Sequence, residues 1–228
     1  MKSVISALAA SSALVGAASA ATVQGFDISS YQGSVDFASA YSSGARFVII
    51  KATEGTTYID GSFSEHYEGA TKAGLIRGGY HFAHPDSSSG AEQAKYFLAH
   101  GGGWSNDGIT LPGMLDIEYA PSGNECYGLS ASEMVSWITD FVDTYHSSTG
   151  RYPMIYSTND WWSSCTGNSD AFSKDSPLVL ARYGSSAGTI PGGWPFETIW
   201  QNSDSYSYGG DSDIFNGSED QLKKIASG

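Results

Sequence analysis

Apolar and polar positions along this chain follow two rhythms. Short runs rich in β-branched and aromatic residues, at positions 23–29, 47–53, 76–83, 113–119 and 152–158, read as strands. The unbroken apolar run at 47–53 marks a strand buried on both faces. Between them lie segments with helical spacing. Residues 35–43 form a short helix with Ser34 placed as N-cap, 63–73 stop at Gly74, and 90–99 end at Gly101-Gly102-Gly103. The clearest helix covers 130–146. Ser130 followed by Glu133 makes a capping box, and Val135, Ile138, Phe141 and Val142 share one face. Beyond residue 158 the helical spacing fades. Short strands at 178–183, 198–202 and 213–215 are joined by Gly-, Ser- and Pro-rich loops, and 218–226 reads as a terminal helix.

Strand-helix alternation argues for a parallel sheet with helical crossovers. The strand-rich second half argues for closure into a barrel that has lost helices there. The fold class is therefore α/β: a TIM-like barrel with five strand-helix units followed by three strands lacking regular helices. In such a barrel reactive side chains gather at the C-terminal ends of the strands. Those ends carry Asp27, Lys51 and Glu54, Tyr80 and Phe82, Asp116 and Glu118, Tyr156, Arg182, then Trp200 and Gln201, with Asp211 and Asp213 flanking the last strand.

The most telling stretch is Met114-Leu115-Asp116-Ile117-Glu118. In a strand, residues i and i+2 share a face, so the two carboxylates stand side by side, about 7 Å apart. Neighbouring carboxylates in an apolar pocket do not ionise together, so one pKa rises. A protonated acid beside an ionised partner is the chemistry that cleaves glycosidic bonds. A solvated edge strand, a metal site, or a glutamate paired with Arg182 or Lys51 would be the bland alternatives. For Asp27 the bland alternative is a turn or cap after the strand, and for Lys51 and Glu54 it is an ion pair supporting the rim. Of the six tryptophans, Trp137 is assigned to the core, Trp200 to substrate contact, and Trp161 or Trp162 more weakly to substrate contact.

Residues 1–20 have a basic start, an apolar core and Ala18-Ser19-Ala20, the pattern of a secretory leader. The apolar core is short for a membrane span. A mature chain of residues 21–228 is expected to be one catalytic domain, secreted and monomeric, with no membrane insertion. The chain has 11 basic and 24 acidic residues, net −13; without the leader, which holds one lysine and no acid, the balance is 10 against 24, or −14. That charge argues against a nucleic acid partner. It also opposes binding to anionic cell walls at neutral pH, so action at mildly acidic pH is expected. The two cysteines, Cys126 and Cys165, make most simply one disulfide in an oxidising compartment. Two free thiols, or a thiolate metal site, are the weaker readings. The five histidines lack zinc spacing, so neither a metal nor a cofactor is expected. The sequon Asn216-Gly217-Ser218 adjoins a strand and is expected to be unoccupied.

Six motifs occur in order: Gly25-Phe26-Asp27-Ile28-Ser29-Ser30-Tyr31-Gln32-Gly33, Phe47 through Gly55, Gly79-Tyr80-His81-Phe82, Leu115-Asp116-Ile117-Glu118, Ile199-Trp200-Gln201, and Asp211 through Gly217. Together they resemble glycoside hydrolase family 25, the Chalaropsis-type lysozymes. The resemblance implies a flattened barrel. It also implies an N-acetylmuramidase that hydrolyses the β-1,4 bond between N-acetylmuramic acid and N-acetylglucosamine in bacterial cell-wall peptidoglycan. Glu118 matches the proton donor, Asp116 its paired carboxylate, Asp27 the first-strand aspartate of the cleft and Asp211 the last-strand aspartate. Asp213 stands where the family pattern has asparagine, which leaves open whether Asp211 or Asp213 faces the cleft; Asp211 is preferred. The implied reaction retains configuration, with Asp116 either attacking directly or assisting the 2-acetamido group. A chitinase-like hydrolase and a catalytically silent wall-sugar-binding barrel are the competing readings.

Overall fold

The structure is a computed structural model that describes residues 21–121 and 123–228; the leader expected at 1–20 lies outside the described residues. Among the described residues, nine strands and six α-helices follow in the order β1 (Val23–Ile28), α1 (Phe37–Ser42), β2 (Ala45–Glu54), β3 (Tyr58–Ile59), α2 (Phe63–Ala73), β4 (Ile76–Phe82), α3 (Gly90–Ala99), β5 (Met114–Asp116), α4 (Ala131–Thr149), β6 (Met154–Thr158), α5 (Asn159–Thr166), β7 (Leu178–Ala181), β8 (Ile199–Ser203), β9 (Asp211–Phe215) and α6 (Glu219–Ser227). Eight strands close in the order β1-β2-β4-β5-β6-β7-β8-β9 and back to β1, with β3 appended to β2 as a hairpin. Pairing is parallel from β1 round to β8, while β9 runs antiparallel to both β8 and β1. Five strand-helix units and three strands without helices between them give the expected architecture.

Alternation sorts each strand into an inner and an outer face. Inside the barrel, Phe47, Ile49, Met114, Met154, Val179, Ile199 and Phe215 pack together, and Leu222 and Ala226 of α6 join them from the end where β1 begins. That helix plugs the bottom, so any cleft opens at the opposite mouth. On the outer face, Leu115, Ile155 and Leu180 pack against α3, α4 and α5 through Phe97, Phe141, Trp161 and Trp162. Phe26, Ile28, Val48 and Ile50 pack against α1 and α2. The capping box at Ser130 and Glu133 forms as expected, and Cys126 is bonded to Cys165, tying the β5–α4 loop to α5.

Several sequence expectations change. The strand expected at 113–119 pairs only over Met114–Asp116; Ile117 still donates to the Tyr156 carbonyl, but Glu118 lies past the ladder. The helix expected at 35–43 is capped by Asp36, whose carboxylate accepts from Ser39 N–H, rather than by Ser34. Helix α5 carries apolar spacing too short to announce itself; its Thr158 cap and left-handed Gly167 stop define it. Trp161 and Trp162 are fully buried on that helix and make no part of a substrate surface; their indole N–H groups donate to the Glu125 and Ser169 carbonyls. Trp137 is buried, as assigned. At the sequon, the Asn216 side-chain N–H donates to the Glu197 carbonyl and the Ser218 hydroxyl caps α6, so both side chains are engaged.

Candidate active site

The mouth of the barrel holds a cavity of about 200 Å³ lined by Asp27, Ser29, Tyr31, Lys51, Tyr80, Phe82, Met114, Asp116, Glu118, Tyr156, Gln201 and Asp211. Most come from the C-terminal half of a strand or just beyond it; Met114 opens the short β5, and Asp211 opens β9 and reaches the same mouth because that strand runs backwards. Around the closed barrel, β5 lies three strands from β1 and four from β9. Asp116 and Glu118 therefore face Asp27 and Asp211 across the mouth. The cavity continues past Glu118 and Tyr156 into a groove of about 300 Å³ lined also by Tyr119, Arg182 and Tyr183. From there it runs to a further hollow of about 270 Å³ bounded by Thr158, Asn159, Asp160 and Arg182. Shared lining residues join the three hollows into one trough.

The electrostatics follow from packing several carboxyls into this space. Burial pushes the Glu118 carboxyl up, Asp211 pushes it further, and the Lys51 ammonium partly opposes. Glu118 is half-buried, and among the described residues it makes no ion pair with Arg182 or Lys51. Asp116 is 8% exposed; burial holds it well above the ordinary carboxyl range, with the Glu118 charge adding to the effect. Its Oδ1 is buried and has no partner within the fold. Asp27 is pushed up to about 7, by burial first and Asp211 second. It accepts a 2.7 Å hydrogen bond from the Gln201 side-chain N–H, and the Gln201 oxygen accepts from the Tyr156 hydroxyl at 2.8 Å. Asp27 is thus a cleft residue and not a cap; the following 3-10 turn (Ser30–Gln32) is capped by Ser29. Asp211 is raised by burial and by Asp204.

Lys51 lines the cavity and donates to Glu54 at 2.6 Å. The other Glu54 oxygen meets His84 Nε2 at 2.8 Å, and these two partners hold Glu54 below its usual range despite burial. Glu54 is therefore a bracket for Lys51, outside the cavity lining. Tyr80, Phe82, Tyr156 and Gln201 all line the cavity. Trp200 does not: it alternates with inward-facing Gln201 and its indole N–H donates to the Arg182 carbonyl. Three exposed aromatics that sequence reasoning passed over flank the trough instead, namely Tyr31 at 92% exposure, Tyr119 and Tyr183. Asp211 faces the open cavity, while Asp213, 1% exposed, lies one inward-facing position deeper on the same strand. Among the described residues no group of three His, Cys, Asp or Glu is placed to hold a metal ion.

A groove that holds one carboxyl toward its acid form beside a second carboxyl is the equipment of a glycoside hydrolase, the class this barrel and its mouth define. The sequence profile of glycosyl hydrolases family 25 matches residues 26–211, most of the chain. The chain belongs to that family. It is 67% identical to an N,O-diacetylmuramidase of Chalaropsis sp over 211 residues, covering 91% of this chain and all of the relative. It is 48% identical to Lysozyme M1 of Streptomyces globisporus, over 93% of this chain and 74% of that one. The family 25 lysozyme structure from Aspergillus fumigatus superposes with a TM-score of 0.90 at 65% identity, covering 91% of this chain and 100% of the other.

Proposed function

We propose that this protein is a lysozyme that hydrolyses the β-1,4 bond from N-acetylmuramic acid to N-acetylglucosamine in bacterial peptidoglycan. The observation that carries the reading is Glu118: half-buried, held toward its acid form, unpaired, and placed where the cavity meets the groove. In the first step the 2-acetamido oxygen of the muramic acid ring attacks its own C1. The C1–O bond to the leaving sugar breaks, and Glu118 passes its proton to the leaving oxygen. In the second step water attacks C1 and reopens the oxazolinium ring, and the Glu118 carboxylate takes the proton from that water. Two inversions give net retention.

Asp116 orients the acetamido group. Its carboxyl lines the cavity and supplies an acceptor for the acetamido N–H, and its place beside Glu118 on one segment leaves it poorly set to attack from the opposite face of the sugar. Asp27 and Asp211 stand on the facing wall of the cleft, across the mouth from the acid. Tyr31, Tyr119 and Tyr183 offer flat faces to sugar rings. The protein acts as a secreted monomer whose residues 21–228 form one catalytic domain; no helix among the described residues is long and apolar enough to cross a membrane. Mass analysis of fragments released from purified peptidoglycan tests the reading. Muramic acid at the new reducing end is expected; N-acetylglucosamine there, or preferential cleavage of chitin oligomers, would overturn it. Wall binding without new reducing ends would identify a silent sugar-binding barrel instead.

A further inference from the structure

Asp213 is a deeply buried carboxyl at the barrel mouth that the mechanism leaves unused. It sits opposite Gly25 on β1 and opposite Gln201 on β8, and faces inward between Asp211 and Phe215. Neither of its carboxyl oxygens accepts an N–H or a hydroxyl proton from any donor group. The groups that face it are all neutral or acidic: Gly25 and Asp27 from β1, Gln201 from β8, and Asp211 on its own strand. Behind Gln201 stands the Tyr156 hydroxyl, and across the mouth stand Asp116 and Glu118. The nearest cation of the cavity, Lys51, is engaged by Glu54. A carboxylate here would be a buried charge without a donor, beside a second carboxyl, which is among the costliest arrangements a core can hold.

We propose that Asp213 is a permanently protonated positioning residue, whose carboxylic O–H donates to Asp27 and fixes that side chain against the cleft wall. Asp27 then lies between two donors. Gln201 occupies one oxygen, its amide orientation set by the Tyr156 hydroxyl, and Asp213 lies within hydrogen-bonding reach of the same carboxyl. Tyr156, Gln201, Asp27 and Asp213 thus form one network whose donors converge on the Asp27 carboxyl, Tyr156 acting through Gln201 from one side and Asp213 from the other. Burial and the Asp27 charge hold Asp213 well above the ordinary carboxyl range, while its hydrogen bond draws Asp27 down. The Asp27–Asp213 pair therefore loses one proton near neutrality and keeps the other.

The test uses the whole enzyme and two variants. Infrared difference spectra at about pH 8, where Asp27 is ionised, should show a neutral-carboxyl band in the wild type that Asp213→Asn removes. This measurement does not depend on the lysozyme reading. Asp213→Val, which has no donor, should lower kcat/KM on purified peptidoglycan by about tenfold or more, the usual effect of losing a hydrogen bond to a charged group. Asp213→Asn, whose amide N–H still donates, should recover most of that loss. Absence of the band at pH 8, or an asparagine variant no better than the valine one, would overturn the proposal. If the valine variant does not fold, the infrared comparison alone decides.

Discussion

Replacing Asp27 with asparagine should give a more stable protein and a poorer enzyme, with the gain in stability appearing only as pH rises. The Asp27 carboxyl is pushed from 3.8 to about 7 in the fold. That is about 3 units, and at 1.36 kcal/mol each the ceiling is about 4 kcal/mol. The folded state holds the proton more tightly than the unfolded chain. Stability contributed by this group is therefore full below about pH 4, drains as pH rises, and is gone above about pH 7. Asparagine occupies the same volume, accepts from Gln201 through its oxygen, and carries no charge to desolvate. The variant and the wild type should match at pH 4 and diverge by roughly 2–4 kcal/mol at pH 8, the lower figure allowing for neighbours that share the charge. For a chain of this size that is roughly 5–15 °C in melting temperature. Urea or thermal unfolding at pH 4, 6 and 8 reads it directly. A difference that is constant with pH, or that widens toward acid, would refute the account of the cleft as a store of desolvation strain. The accompanying fall in peptidoglycan cleavage is the usual exchange of stability for function at such sites.

Four further outcomes are expected. Glu118→Gln should cut turnover about 10²–10⁴-fold with little loss of stability, since it removes the transferable proton. Wild-type activity should fall as pH rises through the raised Glu118 value, and an alkaline optimum on cell walls would contradict that assignment. Reducing the disulfide, or substituting Cys126 and Cys165 by serine, releases a span of 39 residues and should cost up to about 4 kcal/mol on the chain-entropy model; calorimetry with and without reductant measures it. Trp161→Ala should destabilise by about 3–5 kcal/mol while leaving KM on soluble fragments near that of the wild type; a KM change without loss of stability would restore Trp161 to the substrate surface.

Much of the fold was legible because parallel strands covered by helices appear as continuous apolar runs, and β2 at Ala45–Glu54 is such a run. The two-residue β3 leaves no rhythm to read. Helix α5 has two turns and a tryptophan pair, and only its Thr158 cap and Gly167 stop could have disclosed it. In the site, Asp27, Asp116, Glu118 and Asp211 were readable because carboxyls inside apolar runs demand an explanation. The aromatics were harder. Trp200 and Gln201 are neighbours in sequence, and a one-residue difference decides which faces the cavity. Tyr31 could have been marked by its place in a short capped turn right after Asp27, yet exposure depends on what packs over it, which composition does not record. The depth of Asp213 was hidden for a related reason: it shares a face with Asp211, and only the plug of α6 below and the open mouth above distinguish the two.

The antiparallel seam of β1 with β9 has a consequence in time as well as in space. Asp27 and Asp211 are paired across it although most of the chain separates them. Gly210, at φ +73°, lies so close to the Asp27 backbone that any side chain there would force the two strands apart. During synthesis Asp116 and Glu118 emerge well before the strand that completes the facing wall. A chain still leaving the ribosome therefore owns the acid but not the cleft. Hydrolytic power arrives with the last few strands, so the cell that makes the enzyme handles only incomplete and inactive forms until the barrel shuts.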